Sequence, residues 1–564
     1  MDIFDLKTEK CIGTTQSVDT VSVVIHVDNE DILSEIQVNN LVAIRSAKQR
    51  QLLIGMVNKI IRKYGEFVDD TEEIEKDDVL KVILVGTFLY KDGIRENVFK
   101  RTLESIPEIN SECFILEGEN LSSFMNILSQ NGQTGANSLK LGSFTLNKSA
   151  VAYLDGNRFF QKHAVIVGNT GSGKSCTVAT LIEQIALLKS SNAILFDIHG
   201  EYTPIVGENI KHFKVAGPSD SVADNILFLP YWLLTHEEMM AMLIDRSDNN
   251  APNQAMIFSR TVLEKKSDYL SKHDITDIDI TIDSPVPYDI RSLLNSLISL
   301  NEEMVPGSAG KLKKGDFNGT LARFIQRLEN KIKDRRLNFM FAEESSLMQY
   351  DFMVDLCKRL MSAGCNSGGV KIIDFSEVPS DILPLIISLI ARLVFSVQQW
   401  IDKDKAHPIA LFCDEAHLYI PQNVGKSVEE SSLHSFERIA KEGRKYGIGL
   451  VVITQRPSEV DRTVLSQSSN FIAMRLTNFD DQNVIKRLLP DSLGNFGELL
   501  PILNVGEAVV VGDACLLPSR INITMPDPAP NSATIKFWDE WAKEATVDMI
   551  EIAVKSMRQQ SKPC

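Results

Sequence analysis

Long uninterrupted apolar runs are missing from this 564-residue chain: none approaches the roughly 18 residues that a membrane-spanning helix needs. The opening Met1-Asp2-Ile3-Phe4-Asp5 has neither the basic nor the apolar region of a secretory signal. A cytoplasmic protein with no membrane partner is the expectation. Cysteines with metal or disulfide spacing are missing as well. The eight, at 11, 113, 176, 357, 365, 413, 515 and 564, are scattered without a C-x-x-C pair, which argues against a disulfide framework or a structural zinc site. Cys176 and Cys413 lie in apolar-flanked segments and read as reduced core residues. A basic surplus is also lacking, since Lys and Arg number 59 against 75 Asp and Glu, a net charge of −16. That balance speaks against a generic nucleic-acid coat protein. It leaves room for a DNA machine whose positive charge is confined to a channel, because binding depends on the local field. No internal repeat is evident.

What the chain does have is a phosphate-loop pattern. Gly168-Asn169-Thr170-Gly171-Ser172-Gly173-Lys174-Ser175 fits G-x-x-x-x-G-K-[ST]. The apolar Ala164-Val165-Ile166-Val167 precedes it, and a helix-compatible run from Cys176 to Ile182 follows. Glycines let backbone N–H groups turn inward around phosphates, and the helix N-terminus aims its positive end at them. Gly168–Ser175 and Cys176 are the expected ATP-binding residues. Lys174 reaches the β- and γ-phosphates in such a loop, and the Ser175 hydroxyl holds Mg²⁺.

At 44% hydrophobic and 24% charged the chain is ordinary globular material, long enough for several domains. Residues 1–150 carry short β-branched runs (Val21–Val27, Leu41–Ile44, Leu52–Val57, Val82–Phe88) and suggest a small barrel or sandwich for assembly or docking. From about 160 strands and helices alternate, which predicts an α/β core with a mainly parallel sheet. Its first part is set at 151–234 and its second at 346–525. Between them, 235–345 reads as a helical insertion, with Glu237–Arg246, Asn253–Leu270, Ile290–Leu300 and Asn318–Leu337 as helices. A flexible basic loop inside it holds Gly307, Gly310, Gly315, Lys311, Lys313 and Lys314. Residues 526–564 read as a proline-marked linker and an amphipathic helix around Ile535–Ala545.

Three further segments carry chemistry. Ile409-Ala410-Leu411-Phe412-Cys413 is an apolar strand ending in Asp414-Glu415. Beside a phosphate loop, such a pair divides Mg²⁺ binding (Asp414) from polarisation of the attacking water (Glu415). Gly449–Thr454 is a strand followed by Gln455, placed to sense the γ-phosphate or orient water; a satisfied loop amide is the plainer reading. Arg438, Lys441, Arg444 and Lys445 crowd a helix end. The helix dipole alone accounts for them, whereas an arginine finger reaching a neighbouring subunit's nucleotide is the sharper alternative, with Arg444 first and Lys445 behind it. Asp197-Ile198-His199-Gly200-Glu201-Tyr202 ends another strand. Its His-x-Glu spacing hints at zinc, but no third ligand is placed.

In order and approximate spacing, Gly168–Ser175, Asp197–Tyr202, Asp414-Glu415-Ala416-His417, Gly443-Arg444-Lys445-Tyr446-Gly447 and Thr454-Gln455-Arg456-Pro457 resemble the HerA-type ATPases of the HerA/FtsK group of hexameric DNA translocases. The resemblance covers most of the chain. It implies a RecA-like core interrupted by the helical insertion, and an N-terminal region similar to the family's HAS barrel. It further implies a homo-hexamer with ATP at subunit interfaces and double-stranded DNA through the centre. Lys174, Ser175, Asp414, Glu415 and Gln455 carry over by motif; Arg444 becomes the trans-acting finger, with Lys445 or Arg438 able to share that role. Relatives partner a NurA-type nuclease at the barrel face, or a sirtuin-like protein or another nuclease in antiviral defence. The sequence shows no nuclease acid cluster of its own. The expectation is therefore an ATP-driven DNA motor serving a partner effector. Its rival is an ATP-dependent scaffold that activates the effector with little translocation. Lys311–Lys314 is one candidate DNA surface, or else a solvated loop.

Overall fold

Seven strands at the N-terminal end run antiparallel to one another: β1 (Cys11–Val18), β2 (Ser22–Val27), β3 (Leu41–Arg45), β4 (Gln51–Tyr64), β5 (Lys76–Asp92), β6 (Arg95–Lys100) and β7 (Glu112–Ile115). Because β2 pairs with both β1 and β5, the ring β1–β7–β3–β4–β5–β2 closes into a six-stranded barrel, and β6 adds to β5. Closure removes the unpaired edges that an open sheet would expose. The residues dictate which side faces in. Along β2 the exposures alternate, with Val23, Ile25 and Val27 buried among Ile44, Leu53, Val57, Val82 and Leu84. Gly13 permits a close crossing, since a Cβ there would stand 1.8 Å from the His26 carbonyl oxygen. This structure is a computed structural model that describes residues 4, 11–19, 22–27, 30–64, 76–132, 138–245, 247–306, 311–364, 369–425, 427–489, 494–532, 535–544 and 549–560. Arg246, Gly307, Gly310, Cys365, Ala545 and Cys564, named above, lie outside them.

The chain divides into two compact units, Met1–Leu181 with Ser468–Met525, and Ile182–Gln467 with Pro526–Cys564. In the first, strand Ala164–Val167 is parallel to Asn470–Ala473, and the sheet continues antiparallel through Glu507–Gly512, Ser519–Ile523, Ser138–Phe144 and Val151–Asp155. Ser138–Phe144 falls within 1–150, the stretch expected to form the barrel, yet its partners are Ser519–Ile523 and Val151–Asp155. Arg101 on the barrel side donates to the carbonyls of Gly512 (2.5 Å) and Cys515 (3.4 Å) within this unit.

The second unit holds six parallel strands in the order Ile226–Leu227, Ile210–Val215, Val370–Asp374, Ala193–Asp197, Ile409–Cys413 and Ile448–Thr454. Their near-continuous burial is what a parallel sheet demands. Between Ile226–Leu227 and Val370–Asp374 come the helices His236–Leu243, Ala251–Lys272, Ile290–Glu302, Ala322–Lys333 and Phe352–Met361. Thr235 and Glu238 form a reciprocal capping box on the first, and Asp289 caps the third through Arg291 and Ser292 N–H groups. Glu238 is also gripped bidentately by Arg392, with both distances 2.8 Å. Arg392 lies on helix Leu383–Trp400, which is long and apolar enough to cross a membrane, yet 72% of its apolar window is buried inside the fold.

Two expected elements come out differently. Lys311, Lys313 and Lys314 belong to a hairpin, Met304–Pro306 with Leu312–Lys314, instead of a loop. The single helix expected over Ile535–Ala545 shortens to Phe537–Trp541, and Met549–Gln559 forms a separate helix. Phe537, Trp538 and Trp541 are all more than half exposed, and a helix without a packed apolar face gains little stability beyond its first turns.

Candidate active site

The phosphate loop leaves the buried strand Ala164–Val167 at Gly168 and enters helix Lys174–Ala186. Gly171 and Gly173 adopt φ of +73° and +111°, a region that side chains with a Cβ avoid. A Cβ on Gly168 would lie 2.4 Å from Ser172 Oγ, and one on Gly173 2.8 Å from Met474 Cε. The loop is braced by the segment after Asn470–Ala473. Asn169 N–H donates to the Arg475 carbonyl at 2.8 Å, and Asn169 Nδ2 to Thr477 Oγ1 at 2.6 Å. Gly506 N–H donates to the Ser172 carbonyl at 2.9 Å. Thr170 and Gly171 form the exposed tip, while Ser175 and Cys176 are half-buried. Lys174 is 8% exposed, and its Nζ rests 3.2 Å from the Asn169 carbonyl. A glycine turn of this shape, with a buried ammonium and a helix N-terminus behind it, suits an anion of several negative charges. Met474, Thr477 and Gly506 were not singled out from the sequence, and no local motif marks them.

The acidic turn follows strand Ile409–Cys413. Asp414 is 6% exposed and its Oδ1 accepts the Glu415 N–H at 3.0 Å. Burial, reinforced by the negative charges of Glu415, Asp197 and Glu201, holds the Asp414 carboxyl well above the usual carboxylate range. Glu415 has φ +44° and ψ +46°, left-handed for a residue with a full side chain. Its Oε2 is buried without a hydrogen-bond donor; His417 Nδ1 stands 3.4 Å away but outside hydrogen-bonding geometry, and lies 3.2 Å from Thr454 Oγ1. The turn is locked from below by Tyr419, whose hydroxyl donates to the Asp414 carbonyl at 2.8 Å, and Ser432 Oγ donates to the Tyr419 carbonyl at 2.8 Å.

Asp197 serves its own loop. It accepts N–H groups of Gly200 (2.8 Å), Glu201 (3.0 Å) and Tyr202 (3.0 Å). Burial pushes its pKa up to about 6, with the Tyr202 and Glu201 N–H groups opposing the shift. Among the described residues no group of three or more His, Cys, Asp and Glu is arranged to hold a metal, and no third ligand joins His199 and Glu201. One or two carboxylates completed by water and phosphate suit magnesium instead, and a divalent cation beside Asp414 would supply the positive charge its acidic neighbours lack.

Strand Ile448–Thr454 runs parallel to Ile409–Cys413, with Cys413 opposite Val452, so Gln455 leaves the sheet at the same edge as Asp414. The basic helix end sits at the opposite edge. Arg444 and Lys445 occupy the turn Gly443–Tyr446 just before that seven-residue strand, about 20 Å from its far end at ~3.3 Å per residue. Both are exposed. The other basic candidates are engaged: Arg438 lies 4.6 Å over the Phe395 ring and donates to Gln399 at 3.2 Å, and Lys441 pairs with Glu437 at 2.9 Å.

Two family models match, overlapping at residues 368–394: "Helicase HerA, central domain" over residues 139–394 and "Helicase HerA-like C-terminal" over 368–549. The chain belongs to the HerA helicase family. It is a P-loop ATP hydrolase with a RecA-like core. Among curated HerA relatives it is 26% identical over 415 residues to a probable helicase of Methanocaldococcus jannaschii, covering 73% of this chain and 71% of that protein. It is 27% identical over 434 residues to the DNA double-strand break repair helicase HerA of Saccharolobus solfataricus, covering 76% and 75%. Among solved structures, the bacterial conjugative coupling protein TrwB matches with a TM-score of 0.46 at 14% identity, covering 72% of this chain and 93% of that one.

Proposed function

We propose that this HerA-family protein is a Mg²⁺- and ATP-driven motor that moves along double-stranded DNA as a ring of six subunits in the cytoplasm. Its barrel face docks a nuclease or another effector, in DNA processing or antiviral defence. The observation that carries the hydrolytic reading is Glu415: a strained residue with a buried carboxylate oxygen that no donor satisfies, beside the buried Asp414. Unsatisfied acceptors and left-handed non-glycine residues persist where a reaction uses them. Glu415 takes a proton from the attacking water and Gln455 orients that water. Lys174 and the loop N–H groups of Gly168–Cys176 hold the phosphates, and Ser175 and Asp414 hold Mg²⁺. Held by these residues, Mg²⁺ would supply positive charge to offset that of the transferred phosphoryl group. Arg444, at the sheet edge away from its own Asp414, serves a neighbouring subunit's nucleotide.

Glu415→Gln tests the reading. The variant binds ATP with near-wild-type affinity, while turnover drops by about 10²–10⁴-fold, the usual worth of a positioned general base. Retention of turnover would refute the assignment. Arg444→Ala is also inactive alone, and mixing it with Glu415→Gln restores part of the turnover, since mixed rings contain interfaces with both groups intact. A mixture as inactive as its components would remove Arg444 from the trans-acting role.

A further inference from the structure

Asn169 occupies a position that the phosphate-loop pattern leaves open, yet much of the loop hangs on it. Its carbonyl oxygen accepts two donors from within the loop, the Ser172 N–H at 3.1 Å and the Lys174 ammonium at 3.2 Å. One oxygen therefore shapes the glycine turn and orients the buried ammonium. It can do so only while Asn169 itself is held, because loop residues are otherwise mobile. Two further groups of Asn169 reach outside the loop. Its N–H donates to the Arg475 carbonyl at 2.8 Å and its Nδ2 to Thr477 Oγ1 at 2.6 Å.

The segment that supplies both acceptors is itself fixed. Met474 N–H donates to the Val167 carbonyl at 2.8 Å, and Leu476 N–H to the Leu500 carbonyl at 3.0 Å. The Leu476 carbonyl accepts Gln482 Nε2 at 3.0 Å, and the Asn478 side chain caps helix Phe479–Leu488 through the Asp480 and Asp481 N–H groups. Thr477 thus stands between an anchored strand end and a capped helix. The two contacts to Asn169 differ in what they ask of the sequence. The Arg475 contact is main-chain, and any residue at 475 could make it. The Thr477 contact needs a hydroxyl, which valine of the same shape lacks.

We propose that Thr477 is a positioning residue for ATP: through Asn169 it aims the Lys174 ammonium at the phosphates. The assignment rests on the phosphate-holding role of Lys174 proposed above and adds a residue outside the motif that sets it. Supporting groups of this kind keep a binding group near its productive geometry. Thr477 is exposed and Asn169 half-buried, so water replaces the bond when it is removed and folding stability changes little. The ammonium serves bound ATP and the transition state alike. Its misplacement therefore falls on KM and leaves kcat nearly untouched.

The test is steady-state hydrolysis and direct ATP binding by the full chain. Thr477→Val raises KM and Kd for ATP by about 3–10-fold, the worth of one net hydrogen bond. Its kcat stays within about twofold of wild type, and its thermal midpoint is unchanged. Thr477→Ser keeps the hydroxyl and binds ATP as wild type does. Asn169→Ala matches Thr477→Val, and the double variant is no weaker than either single one, since all three lack the same bond. Unchanged ATP affinity in Thr477→Val would overturn the proposal. So would equal losses in the serine and valine variants, or losses that multiply in the double variant, because Thr477 would then act by another route. ATP affinity retained by Lys174→Ala would instead remove the phosphate-holding reading underneath.

Discussion

Two turns in this protein leave fully buried strands, and they handle backbone strain in opposite ways. The phosphate loop after Ala164–Val167 assigns its left-handed positions to Gly171 and Gly173, and ties its backbone to Arg475 and Gly506. The acidic turn after Ile409–Cys413 assigns its left-handed position to Glu415 and leaves a carboxylate oxygen unsatisfied. The first turn is relaxed and braced, as a cradle for a tightly held anion should be. The second retains free energy on the order of 1–3 kcal/mol in Glu415, the residue proposed above to take a proton from the attacking water. In the proposed reading, rigidity goes to the holder and strain to the reagent.

The sharpest way to break this contrast is to remove each reagent in turn. Lys174→Ala is expected to lose both nucleotide binding and turnover, by calorimetry and phosphate release. Glu415→Gly is expected to lose turnover by at least about 100-fold and keep binding. It should also unfold at higher urea, gaining about 1–2 kcal/mol from relief of the left-handed conformation and of the unsatisfied buried acceptor. A Glu415→Gly protein less stable than wild type would show that the acidic turn stores no strain. Smaller effects rank the glycines. Gly173→Ala should cost about 2 kcal/mol and Gly171→Ala about 1, because a Cβ on Gly171 meets nothing within 4 Å whereas one on Gly173 also meets Met474. Equal costs in denaturant melts would mean that the Met474 side chain yields freely.

A separate effect concerns pH. Lys371, fully buried in strand Val370–Asp374, donates to Asn192 Oδ1 at 2.8 Å and to the Ser362 carbonyl. Burial lowers its pKa to about 7. The unfolded chain, with a lysine pKa near 10.5, therefore binds more protons than the folded one between these values, and folding stability rises with pH from about 7 upward. Lys371→Met removes that slope, so its stability relative to wild type is more favourable at pH 7 than at pH 10. A stability difference independent of pH would place the buried amine in its ordinary range.

Legibility followed sequence distance. The phosphate loop, the acid pair and the strand before Gln455 each announce themselves within ten residues, because glycine spacing and apolar runs are local signals. The braces of the loop do not: Asn169 and Thr477 are 308 residues apart, and nothing near Thr477 marks it. Strand β1, with the polar composition Cys-Ile-Gly-Thr-Thr-Gln-Ser-Val, shows too little apolar alternation to stand out; barrel closure supplies its partners. Arg438, Lys441, Arg444 and Lys445 all crowd one helix end, and the sequence ranks Arg444 first among them without showing which are engaged. Packing separates them, engaging Arg438 with Phe395 and Lys441 with Glu437. Lys371 sits in a run that reads as an ordinary buried strand, so its desolvation shows only once the neighbours are in place.

On the ribosome, helix Leu383–Trp400 emerges before one of the elements that covers it. Helix Ser427–Glu442, which packs on it through Arg438 and Phe395, is complete only about 40 residues later, an interval of roughly 2–8 s at ordinary rates of synthesis. During that interval the nascent chain carries an 18-residue segment of mean hydropathy 1.4 without this cover. The finished fold conceals this segment; while the protein is being made, its concealment is a matter of timing.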